Sequence, residues 1–282
     1  MIQKVFYFPQ IFPIFQEAHD FFVNTKKQTA TQHLFTNKQL RTLLVPIMVE
    51  QLLSSLMGTA DTMMVSNVGS AAISAVSLVD AINILVIQAL SALAAGGAIL
   101  CSQYLGSQNL KKAKRSAEQV LFVMLVLSCS LSLLCLIFRF PLLRLIFGTV
   151  DTDVMANSQI YFFFTLLSFP FIGLYDAGAS ILRAQNNTKG PMTISILSNF
   201  LNIGGNAILI FVFGMGVAGA AISTLVSRIF CAIVVIWQLR NPAEQIYVRN
   251  YFSIRPDWSL IKRVLFIGIP SGIENSMFQF GK

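Results

Sequence analysis

Charge is what this sequence has least of: 11% of its 282 residues are Asp, Glu, Lys or Arg, against about 25% in an ordinary soluble domain. The only two histidines, His19 and His33, precede the first long apolar run, which leaves the apolar part without histidine chemistry. Cys101, Cys129, Cys135 and Cys231 sit inside apolar runs with no metal-ligand spacing and read as small packing residues. The chain also lacks a Gly-x-x-x-x-Gly-Lys phosphate loop and a nucleophile elbow, so ATP hydrolysis is excluded and an enzyme is not expected. Its opening residues have neither a continuous apolar core nor a small-residue cleavage site, so insertion into a membrane is expected to rely on the spans themselves.

What the chain does have is apolar length. Hydrophobic residues make up 55% of it, in blocks of about twenty or more, enough to cross roughly 30 Å of hydrocarbon. The pattern predicts an all-α polytopic bundle with spans at 40–66, 72–104, 116–138, 158–182, 191–213, 217–239 and 260–280. Pro191 suits a first helical turn, and Gly214 with Gly216 marks a tight reversal between spans five and six. The domain reading is a cytoplasmic or interfacial segment over 1–38, a six-helix lobe over 39–240, a cytoplasmic linker over 241–259, and the start of a second lobe over 260–282.

The net charge of +8 forms no stripe or arginine-rich tail, so a nucleic-acid partner is not expected. Placing the amino terminus inside puts 16 of the 20 basic residues in cytoplasmic segments, as the positive-inside rule requires. Arg139 and Arg144 then lie in an outward connection. Pro46-x-x-x-Glu50-Gln51 recurs as Pro270-x-x-x-Glu274-Asn275, an internal echo of the kind from which transporters are built.

Ionisable groups inside a span cost about 2.5–3.5 kcal/mol on insertion scales and persist where they face protein or water. Glu50 and Asp61 fall on one face of span one, with Ser54 and Gly58 between them, and Pro46 lets that helix bend. Glu50 is read either as part of this polar stripe or as a group solvated in an open cavity. In span five, Ser195, Asn199, Asn202 and Asn206 step by four, three and four along one stripe, as interhelical glue or as oxygen ligands for a cation. Thr224 in span six offers a hydroxyl. Asp80, near Asn83, and Asp176, beside Tyr175, are read as cavity-lining or structurally paired acids, and Glu274 as a cavity-lining acid of span seven. Arg228 is assigned a structural partner, with one of these carboxylates as a candidate. The pairs Gly96-Gly97 and Gly204-Gly205 permit close helix approach or bending.

Several of these features come in a familiar order: Pro46 then Ala60-Asp61-Thr62; Gly96-Gly97-Ala98 then Ser102-Gln103-Tyr104-Leu105-Gly106; Leu182-Arg183-Ala184-Gln185. A longer run goes from Pro191-Met192 through Asn199-Phe200-Leu201-Asn202 and Leu209-Ile210-Phe211 to Gly216-Val217-Ala218-Gly219-Ala220-Ala221. Together they resemble the multidrug and toxic compound extrusion (MATE) family of the wider polysaccharide flippase superfamily. The resemblance implies twelve helices in two six-helix lobes, exchanging sodium ions or protons for cationic or amphipathic compounds by alternating access. It implies that Asp61 takes the coupling cation, sodium being the candidate metal, that Asn202, Asn206 and Thr224 join it, and that the helix bends at Pro46. No resident cofactor is implied. The implied partners are the lipid bilayer of the plasma membrane and small substrates, with a monomer at full length. Two departures stand out: Asn206 occupies a position that is acidic in some members, and the sequence ends within span seven. A lipid-linked saccharide flippase and a non-transporting truncated fragment are the alternatives, the first disfavoured because Arg228 is the one clear basic residue for a cavity.

Overall fold

In hydrocarbon the backbone has no partner but itself, and a helix closes its N–H and C=O groups internally. The computed structural model describes residues 37–148, 150–248 and 256–280, and it is helical almost throughout. The elements are α1 (Asn37–Ser66), α2 (Ser70–Gly106), α3 (Leu110–Ile137), α4 (Arg139–Phe147), α5 (Thr152–Ala184), α6 (Lys189–Asn206), α7 (Gly216–Leu239) and α8 (Trp258–Phe280), with a π-helical continuation of α6 over Ala207–Val212. Among the described residues, six segments are long and apolar enough to span a membrane: Leu40–Ser66, Ser70–Gly106, Leu110–Ile137, Thr152–Ala184, Lys189–Val212 and Gly216–Leu239. α8 is helical where the seventh span is expected. The expected interfacial segment 1–38 falls outside the described residues except for its last two, as does the side chain of Glu274.

One element differs from expectation. Arg139 and Arg144 belong to the short helix α4 rather than to an open connection. Pro141 sits in its first turn, where a missing N–H costs nothing, and Leu143 is buried while Leu145 is 85% exposed.

Packing explains several local choices. Pro170 lies inside α5, and its missing N–H leaves the carbonyl of Leu166 without its helical donor. The hydroxyl of Ser132 on α3 donates to that carbonyl at 2.7 Å. Nearby, α3 and α5 approach closely at Gly173, where an added Cβ would stand 2.7 Å from the Ser128 oxygen. Between α6 and α7 the reversal runs through Gly214 and Gly216 with φ of 64° and 55°, left-handed values that glycine adopts without a Cβ clash.

The segment leading into α8 is held by the start of α3. Arg115 pairs with Asp257 at 2.9 Å, the backbone N–H of Asp257 donates to Gln119 at 2.9 Å, and Lys114 lies 3.5 Å from the Tyr247 ring centre. α8 then packs on α2 at a crossing of glycines, where a Cβ on Gly96 would fall 2.6 Å from the Gly268 nitrogen. Ile246 and Val248 of the expected linker are buried in the core with Leu182 and Leu239.

Candidate functional site

Helix α1 is the least buried span, with 11% of its most apolar window enclosed. Among the polar contacts of its described residues, two use acids singled out in the sequence. Asp61, 5% exposed, is met by α6 and α7. The Asn206 amide donates to Asp61 Oδ1, and the Thr224 hydroxyl reaches Oδ2 at 3.4 Å. Asn202 donates to Thr224 at 3.2 Å, while its own carbonyl oxygen lies 3.5 Å from the Asn206 amide nitrogen. Ser223 fixes the local backbone by donating to the main-chain carbonyl of Asn202 at 2.8 Å.

The four residues fall together because of helix periodicity. Asn202 and Asn206 are one turn apart on α6, so their side chains stack on the face toward α7. Directly after Asn206 the helix widens into the π segment, closed by a five-residue bond from the Phe213 N–H to the Ile208 carbonyl at 3.0 Å. Such insertions gather at functional sites. The cluster presents oxygen from one carboxylate, two amides and one hydroxyl, the donor type hard cations select. Asn206 Oδ1 is buried and without a hydrogen-bond partner among the described residues, and turning that amide over would aim a free oxygen lone pair at the space beside Asp61.

The second contact lies eleven residues earlier on α1. Glu50, 6% exposed, accepts on Oε1 from the Arg183 guanidinium at 2.6 Å and the Tyr175 hydroxyl at 2.8 Å, both on α5. The reading of Glu50 as a solvated group therefore gives way to a buried ion pair. Asp176 lies on the same face of α5 as Arg183, two turns earlier. Its Oδ2 is enclosed and without a hydrogen-bond partner among the described residues, as are Glu50 Oε2 and Arg183 Nε. Sequence reasoning missed the Glu50–Arg183 pairing, which joins residues 133 positions apart on different helices.

Other expected residues separate from these clusters. Asp80 is structurally paired, accepting from Asn83 and Tyr161 at 3.2 Å each. Asn199 is buried but donates to the Ser195 carbonyl on its own helix at 2.9 Å. Ser54 is exposed, and Gly58 has nothing within 4 Å of a built Cβ, so the stripe between Glu50 and Asp61 faces open space. Pro46 is buried within α1. Arg228 donates to the Ser168 hydroxyl at 2.6 Å, so its hydrogen-bond partner is a hydroxyl and not the suggested carboxylate. Cys101, Cys135 and Cys231 are buried as expected, but Cys129 is exposed because its side of α3 faces outward with Leu125, Val126 and Leu133. Of the glycine pairs, Gly96, Gly97 and Gly205 are tightly packed against neighbours, whereas Gly204 is open.

Comparison with known proteins gives a consistent result. Residues 46–208 match the family described as MatE. The chain is 30% identical over 243 residues to the uncharacterized transporter YisQ of Bacillus subtilis, covering 84% of this chain and 52% of the relative. It is 29% identical over 256 residues to the probable multidrug resistance protein NorM of Thermotoga maritima, covering 86% and 53%. Among solved structures, an outward-facing multidrug resistance MATE family transporter superimposes with a TM-score of 0.77 at 24% identity, over 84% of this chain and 52% of that one. A MATE structure in the bent conformation gives 0.76 at 23% identity, over 83% and 53%. The chain thus spans about half the length of the relatives it matches.

Proposed function

Because the chain belongs to the MATE family of membrane transporters, we propose that it carries the amino-lobe machinery of a cation-coupled antiporter that exports cationic or amphipathic compounds. The observation that carries this reading is the Asp61 cluster: this buried acid of α1 is gripped by α6 and α7 through Asn206, Asn202 and Thr224. A helix so little buried responds strongly to a change at one of its polar contacts. When Asp61 is ionised and empty, its charge needs the amide and hydroxyl donors. When it takes a proton or a sodium ion, those donors are freed and α1 repacks, with Pro46 as the place where the helix bends. The coupling cation is cargo, and its differential affinity for the two arrangements drives the exchange.

Substrates enter this scheme as competitors for the same lobe. A lipophilic cation is attracted by the excess of carboxylates over guanidinium groups inside the bundle, and it leaves when the coupling cation takes over that charge. The protein is placed in the plasma membrane with its amino terminus inside, the arrangement that keeps most basic residues cytoplasmic.

The test is efflux of a fluorescent lipophilic cation from vesicles under imposed sodium and proton gradients. Gradient-driven efflux that is lost in Asp61→Asn supports the mechanism. Efflux indifferent to both gradients, or unchanged in Asp61→Asn, overturns it.

A further inference from the structure

An open groove of about 850 Å³ lies at one end of the bundle, between the beginning of α6 and the end of α7. It is not part of the Asp61 cluster or the Glu50 pair, and shares no lining residue with either. Its walls are two-tiered. At the helix ends lie Lys189 and Arg240, with the Gln238 amide between the same two helices. One to two turns further into the spans lie Thr193, Leu197 and Val234, and Trp237 stands in the last turn of α7 beside Gln238. Leu197 is 48% exposed and Trp237 74% exposed, so the apolar tier faces outward from the bundle.

The position decides what such a groove meets. Lys189 opens the fifth candidate span and Leu239 closes the sixth, which puts the basic tier at the water boundary and the apolar tier at the depth of the first acyl carbons. Tryptophan at the boundary is the residue type that anchors to headgroups. The electrostatics agree: the amino terminus of α6 carries the positive end of its helix dipole, and Arg240 offsets the negative end of α7. Glu244 accepts from the amide of Asn187, a residue of the groove wall, at 2.6 Å but does not itself line the groove.

We propose that this groove binds an anionic phospholipid, its phosphate held by Lys189, Arg240 and Gln238 and its acyl chain laid along Leu197 and Trp237. Two cations at the rim of an apolar trough match a group that is an anion at one end and a hydrocarbon at the other. A bound lipid would bridge α6 and α7 on the side opposite the Asp61 cluster, bracing the pair whose separation sets that cluster.

The proposal stands apart from the transport reading, and its test does not require transport. The purified protein in nanodiscs of phosphatidylcholine and phosphatidylglycerol in equal parts is released in a native mass spectrometer, and the lipids that remain bound are counted. The expected result is one retained phosphatidylglycerol, preferred over phosphatidylcholine by roughly tenfold or more. Lys189→Gln with Arg240→Gln, both at exposed positions, removes the preference. Lys111→Gln with Lys112→Gln, at the same end of the bundle but outside the groove, leaves it intact, and Trp237→Ala lowers retention of both lipids. A preference that survives the Lys189 and Arg240 pair, or that falls equally with the Lys111 and Lys112 pair, overturns the proposal. So does full displacement of the lipid by millimolar inorganic phosphate, which would reduce the site to an anion patch.

Discussion

Asn206 on α6 donates its amide to the carboxylate of Asp61 on α1, joining two residues 145 positions apart in the chain. The contact makes a neutral amide the hydrogen-bond neighbour of a buried acid inside a membrane span. Replacing it by a second acid tests what the pocket is for. In Asn206→Asp two carboxylates would stand within hydrogen-bond reach, and two such groups cannot both stay ionised without a cation between them. The variant is expected to be stabilised by sodium chloride, by about 2.7 kcal/mol when sodium reaches roughly 100 times its dissociation constant, which a rising thermal unfolding midpoint reports. Choline chloride at equal ionic strength is the control, and equal responses to the two salts would count against cation binding there.

The Glu50–Arg183 pair makes a separate prediction because it is buried on the carboxylate side. Removing one member leaves the other unpaired inside the protein, a loss of about 3–5 kcal/mol. Arg183→Ala and Glu50→Ala are each expected to lower stability by that order in a denaturation series. The double variant is expected to be no worse than either single one. Additive losses would show that the two side chains do not depend on each other.

Glycine substitutions distinguish packing from freedom. Gly96 faces the backbone of Gly268 at a distance no side chain can relieve, so Gly96→Ala is expected to push α8 off α2 at a cost of about 1–3 kcal/mol. Gly204 has open space around it, and alanine there replaces a poor helix former, a gain of up to about 1 kcal/mol. Thermal melts of the two variants in one detergent should move in opposite directions.

The sequence made the helices legible because each span needs about twenty apolar residues and each reversal needs glycine, proline or charge. The Asp61 set was also within reach, since Asn202 and Asn206 share a face by spacing alone. What periodicity could not supply was partnership across helices. Nothing in the run around Glu50 says that Arg183, 133 positions later, closes on it, and nothing near Arg228 points to Ser168. The π segment after Asn206 was hidden for a different reason: Ala207–Val212 has ordinary helical composition, while its close packing on Gly219 of α7, where a built Cβ would lie 3.1 Å from Leu209, is a contact between helices. Short α4 escaped because a nine-residue helix carries too little apolar length to register as a span.

Thr224 offers the finest probe of the cluster, because one hydroxyl serves two neighbours. Its proton goes to Asp61 Oδ2 at 3.4 Å and its oxygen accepts from the Asn202 amide at 3.2 Å. Valine keeps the shape and removes both bonds, leaving a buried amide hydrogen and a carboxylate oxygen without partners, a cost of about 1–3 kcal/mol. Serine keeps the hydroxyl and loses a methyl group, which costs about 1 kcal/mol. If the hydroxyl positions Asp61 for its cation, Thr224→Val should raise the cation concentration for half-maximal efflux by about tenfold, while Thr224→Ser stays within about threefold of the parent. If Thr224 merely fills space, the order reverses, with valine near the parent and serine the weaker of the two.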